Sequence, residues 1–63
     1  MTEKELLYFE DAYKHEESII NILDYSIDNI SDSDLKKFLT NEKKKHKSMQ
    51  DKLLSKLKEC SND

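Results

Sequence analysis

The sequence contains no glycine and no proline, and a single cysteine. Without glycine or proline, the tight turns that join short strands have no suitable residues, so a hairpin-rich β fold is excluded. Phosphate-cradling loops and the sharp backbone turns of many hydrolases also lose their usual residues. One cysteine, Cys60, makes neither an intrachain disulfide nor a paired-cysteine metal site. It reads as a small side chain at the end of a helix seam. No apolar run approaches the roughly 20 residues needed to span a bilayer. The opening MTEKELLYFED is too acidic and too interrupted for a secretory signal. A cytoplasmic protein is the expectation.

What is present points to helices. Charged residues make up 40% of the 63 residues and hydrophobic ones 35%, and the apolar positions are strongly periodic. Thr2 with Glu5 forms a capping-box pattern. From there Leu6, Phe9, Tyr13, Glu16, Ile20, Leu23, Ile27 and Ile30 alternate by three and four, a heptad seam. Ala12, Ile19 and Ser26 widen one shoulder of that stripe, which suits a bundle better than a two-stranded coil. The pattern breaks at NISDSDL, where Ser31 or Asp32 can cap a second helix and Asp34 favours its positive end. A second seam follows: Leu35, Leu39, Glu42, His46, Met49, Leu53, Leu57 and Cys60, with Phe38 beside it.

The expected fold is therefore all-α. A single domain over 1–63 forms an antiparallel helical hairpin, with helix 1 at about 3–29, a turn at about 30–32 and helix 2 at about 33–59. Each helix would be roughly 40 Å long at 1.5 Å per residue. Residues 1–31 carry a net charge of −6 and residues 32–63 carry +3. An acidic helix beside a basic one is a matched pair, more for choosing partners than for stability. Apolar residues extend beyond the contact line of one hairpin. Two hairpins would cover them as a four-helix bundle, so a homodimer is expected.

Three ionisable groups stand in the seams: Glu16, Glu42 and His46. Level positions across the hairpin have numbers summing to about 64, which sets Glu16 beside His46 and Met49, with Glu42 one turn nearer the loop. Buried carboxylates are costly unless paired or bound to a cation. Two readings stay open. In one, Glu16, Glu42 and His46 bind iron, manganese or zinc, to which carboxylate and imidazole are suited. In the other, Glu16 and His46 pair with each other and fix helix register. His15 and Glu17 flank the seam and are expected to face solvent.

The stretches EDAYKHEESIINIL, DSDLKKFL and NEKKKHKSMQDKLLSKL, which span nearly the whole chain, resemble one half of a rubrerythrin-like or ferritin-like four-helix bundle. In that family a helix carries an inward Glu, an Asp-Pro-Glu-Leu-like turn follows, and the next helix carries Glu-x-x-His. Glu16 matches the first Glu, Asp32 to Leu35 match the turn with Ser33 at the frequent proline, and His46 matches the His. The chain departs from the pattern at Lys43, three residues before His46, where the family has its bridging Glu. Here Glu42 lies four before the His, and the seam register expects Lys43 to point outward. The resemblance implies a bundle fold and, where ligands are intact, iron chemistry of a ferroxidase kind. The chain is also similar, mainly in helix pattern and length, to short ferritin-like coat-associated proteins of spore-forming bacteria, which implies an assembly role.

The basic run EKKKHK, Glu42 to Lys47, reads as a solvated face beside an acidic helix, so no nucleic-acid partner is expected. No membrane partner is expected, because the apolar seam is needed for folding. No Ser–His–acid set is readable, so hydrolysis has no support, and catalysis of any kind ranks below binding. The functional expectation is a small binding or assembly protein with a divalent metal or iron in the bundle core. Its alternative is a metal-free structural protein using the same residues for register.

Overall fold

A computed structural model describes residues 1–61. It contains two helices, α1 (Glu3–Asn29) and α2 (Ser33–Ser61), packed against each other along their length. Among the described residues there is no strand. No described helix is long and apolar enough to cross a membrane. The helix bounds follow the expected ones, with α2 continuing two residues further.

Local chemistry sets the ends. The Thr2 hydroxyl accepts from the Glu5 amide at 3.1 Å, and the Glu5 carboxylate accepts from the Thr2 amide at 3.3 Å, which completes the capping box. The Thr2 hydroxyl also donates to the Glu5 carboxylate at 3.0 Å, and this bond, followed by that of the Thr2 amide, holds the Glu5 carboxyl below its ordinary value of 4.5. α1 stops at Ile30, whose backbone is extended (φ −100°, ψ 136°). Of the two residues able to cap α2, Asp32 does so: its Oδ1 accepts from the Leu35 amide at 3.0 Å. The turn needs no residue with positive φ, so it forms without glycine.

The hairpin is long and thin, 47 × 14 × 12 Å. Its radius of gyration of 14.5 Å exceeds the roughly 10.6 Å of a compact domain of this length. One side chain, Ile20 at 6% exposure, is fully buried among the described residues. Leu6, Phe9, Leu23, Ile27 and Ile30 on α1, and Leu39, Leu53, Leu54 and Leu57 on α2, are half-buried.

The α1 seam is as read from the sequence. The α2 seam is not. Met49 and Leu35 are exposed, at 47% and 52%. The half-buried line instead runs Leu39, Lys43, His46, Gln50, Leu53, Leu57 and Cys60. Both lines step by three and four and share Leu39, His46, Leu53, Leu57 and Cys60. They differ by about half a residue of rotation, roughly 50°. Leu53 and Leu57 lie on both lines, and what separates the lines is Leu54, in the leucine-rich half of α2, which only the second rotation turns toward α1. Turning that leucine-rich half inward carries Lys43 and Gln50 toward α1 and swings Leu35 and Met49 out, because a straight helix keeps one rotation along its length.

That rotation gives the hairpin two unlike broad faces. On α1, Tyr8, Ala12, His15, Ile19, Ile22 and Ser26 alternate by four and three, forming a second line beside the seam. On α2, Leu35, Phe38, Glu42 and Met49 form another. Two right-handed helices running in opposite directions bring both lines to the same side of the pair. The opposite side carries Glu10, Asp24 and Lys47, and at its inner edge the Asp24 carboxylate meets the ammonium of Lys43, on the contact line, at 2.5 Å.

Candidate functional site

Midway along the hairpin, where each helix would otherwise present an apolar side chain, Glu16 and His46 face each other. Both lie on heptad lines, and a turn centred near residue 31 makes them level. Their Oε2 and Nδ1 atoms are 2.5 Å apart, so with the proton on Nδ1 the ring donates to the carboxylate in a short, charge-assisted bond. The Glu16 side chain is 16% exposed and that of His46 is 31% exposed. The carboxylate is the more deeply placed partner, and the imidazole keeps an edge toward water.

Of the three residues expected at a site, Glu16 and His46 are brought together. Glu42 is half-buried on the neighbouring line, and its Oε1 accepts from Lys45 Nζ at 3.1 Å. His15 and Glu17 are exposed. Among the described residues, no group of three or more His, Cys, Asp or Glu side chains is placed to hold a metal ion.

Lys43 overturns its expected orientation. It lies half-buried on the contact line rather than outside it, tied to Asp24 on the neighbouring helix. The cause is the rotation that also turns Leu54 toward α1. An ammonium therefore stands where the resembled family has its bridging carboxylate. One carboxylate, one imidazole and a nearby cation do not fit a two-metal centre of that family, which needs acidic ligands from each helix pair. The signal for the Asp24–Lys43 pair was present in the sequence as an acid and a base flanking the two seams, but only the rotation of α2 makes them meet.

The basic run 42–47 is partly neutralised within the hairpin: Lys43 lies on Asp24, Lys45 on Glu42 and His46 on Glu16. At the end opposite the turn, a shallow cleft is lined by Leu6, Glu10, Leu57, Lys58 and Cys60. The Cys60 Sγ lies 3.3 Å from the Met1 Sδ and is half-buried, as a small residue closing the seam.

The chain's other conspicuous feature is the uncovered broad face. Tyr8, Ile22, Leu35, Phe38 and Met49 are 47–65% exposed and share that face with the half-buried Ala12 and Ile19. Leu7 and Tyr25 are exposed on the outer side of α1, singly, as is ordinary for a protein surface. No family model, curated protein or solved structure matches this chain.

Proposed function

We propose that this chain is an assembly module, a helical hairpin that acts by pairing with a second copy through its apolar face to form a four-helix bundle. The observation that carries this reading is the unburied apolar surface. The hairpin exposes 5066 Å², whereas a compact monomer of 7.5 kDa exposes about 4,250 Å². The excess is close to the roughly 800 Å² that each partner buries in a standard interface. One fully buried isoleucine among the described residues, which contributes about 1.5–3 kcal/mol, is also a small core for two helices of 27 and 29 residues.

In this reading Glu16 and His46 fix register. A one-turn slip would set Glu16 beside Lys43 or Gln50 and His46 beside Tyr13 or Ile20, so the native alignment is favoured because it alone gives the imidazole its carboxylate. The module works without catalysis, in the cytoplasm, and its product is a scaffold to which a further protein can bind.

A second reading rests on the same pair. One carboxylate and one imidazole are too few ligands for a transition metal, but a second copy would double them and bring Glu42 near, enough for iron, manganese or zinc. The direct Glu16–His46 bond favours the register role, because each group already uses its best acceptor or donor on the other.

Sedimentation of the purified chain, with metal content measured on the same sample, tests both. A dimer that Phe38→Glu converts to monomer supports the assembly reading, and a wild-type monomer at every concentration refutes it. Stoichiometric metal that disappears in Glu16→Ala replaces the register role with a metal site.

A further inference from the structure

We propose that the two copies pair with both turns at the same end of the bundle, so that α1 of each lies on α2 of the other. The inference rests on the dimer reading above and adds the surface and the arrangement.

The surface is the apolar broad face, to which α1 gives Tyr8, Ile19 and Ile22 and α2 gives Leu35, Phe38 and Met49. The opposite face carries the Asp24–Lys43 ion pair, which would be costly to strip of water. Two hairpins packed face to face about a twofold axis keep all neighbouring helices antiparallel in two ways. With the axis along the bundle, the turns share an end and α1 rests on the partner's α2. With the axis across the bundle, the turns lie at opposite ends and α1 rests on the partner's α1.

Charge separates these arrangements. Residues 1–31 carry −6 and residues 32–63 carry +3. The rim of the face is acidic along α1, at Glu5 and Asp11. Along α2 it carries Lys45, Lys52 and Lys56, of which Lys45 is paired with Glu42 and Lys56 with Glu59, so the surplus positive charge there is that of Lys52. Turns at one end set acidic rim against basic rim on both sides of the bundle. Turns at opposite ends set acid on acid and base on base, a juxtaposition that opposes association.

The distribution of apolar residues gives the same answer independently. Ile19, Ile22, Leu35 and Phe38 all lie in the half of the hairpin next to the turn. The other half of the face offers Tyr8 and Met49 among His15, Lys45 and Lys52. Same-end pairing lays the apolar halves on each other as one continuous cluster. Opposite-end pairing lays each on the partner's more polar half.

Nitroxide labels on the native Cys60 of the full chain read the arrangement directly by dipolar spectroscopy. Cys60 lies at the end away from the turn of a hairpin 47 Å long. Same-end pairing puts the two labels about one bundle width apart, roughly 20–25 Å from the packed-helix diameter. Opposite-end pairing puts them roughly 40 Å apart, the length of a 27-residue helix. A Cys60→Ser, Ser31→Cys variant repeats the measurement at the turn and covers the case in which a label at Cys60 disturbs the seam. Short distances at both sites are the expected result, together with a dimer that weakens as salt is raised. Long distances at both sites, or a dimer that tightens with salt, overturn the inference and leave the assembly reading standing. Absence of dipolar coupling with a monomer mass overturns both.

Discussion

Replacing His46 by leucine isolates the cost of a stranded carboxylate. In the native hairpin Glu16 is 16% exposed and its Oε2 takes the imidazole proton at 2.5 Å. With leucine at 46 the carboxylate keeps its burial and loses its partner, an unsatisfied group that costs about 1–3 kcal/mol. Glu16→Leu strands the imidazole instead. That ring is 31% exposed and can present its free nitrogen to water, so the expected cost is below about 1 kcal/mol. The double change puts leucine on leucine between Ile20 and Leu53 and removes both buried polar groups. It should fall within about 1 kcal/mol of the native protein or exceed it. The pattern is therefore non-additive, with a coupling on the order of 1–2 kcal/mol. Thermal melts at one fixed protein concentration read it, since about 1 kcal/mol moves the midpoint of a small domain by roughly 4–8 °C. The double variant should recover the midpoint while showing more than one set of amide resonances, because the penalty on slipped registers is gone. Single changes that simply add, or a His46→Leu protein as stable as the native one, would refute this account of the pair. Chelator-sensitive melts of the native protein that become insensitive in every variant would instead give the residues to a metal.

Two further outcomes follow from the helix ends. Asp32→Ala removes the acceptor of the Leu35 amide and should cost about 1 kcal/mol in urea unfolding, while Ser31→Ala should cost little, since Asp32 already caps α2. Glu5 is held below its ordinary value of 4.5 by Thr2, so its folded carboxyl ionises more readily than its unfolded one. Its contribution is then complete above the unfolded value and is lost as pH falls through the folded value. Thr2→Ala should raise the Glu5 midpoint, followed by carboxyl NMR, part of the way toward its ordinary value, since the residue-2 amide still donates; an unchanged midpoint would show that the hydroxyl is not its main cause.

Much of this protein is set by the one-dimensional pattern. With neither glycine nor proline and with apolar residues stepping by three and four, the chain has little choice but helix. Thr2 with Glu5 starts α1, and Asp32 starts α2. Glu16 and His46 were legible as partners because the turn position fixes which residues are level, and level does not depend on rotation. The rotation of α2 was not legible in this way. Two lines of equal spacing share five residues, and the apolar pattern ranks Met49 above Gln50 and Leu35 above Lys43 as the inward one, the reverse of the packed arrangement. The choice goes with Leu54, which is turned toward α1 only in the packed arrangement, next to Leu53 and Leu57 that both lines bury, and the rest of a stiff helix follows. From that rotation follow the half-buried Lys43 on Asp24, the separation of Glu42 from the central pair, and the gathering of Phe38, Leu35 and Met49 with Ile22 and Tyr8 on one face. The sequence determined that there would be two helices and a polar pair between them; tertiary packing decided which face is left uncovered, because only the packed pair fixes the direction in which each helix turns its second stripe.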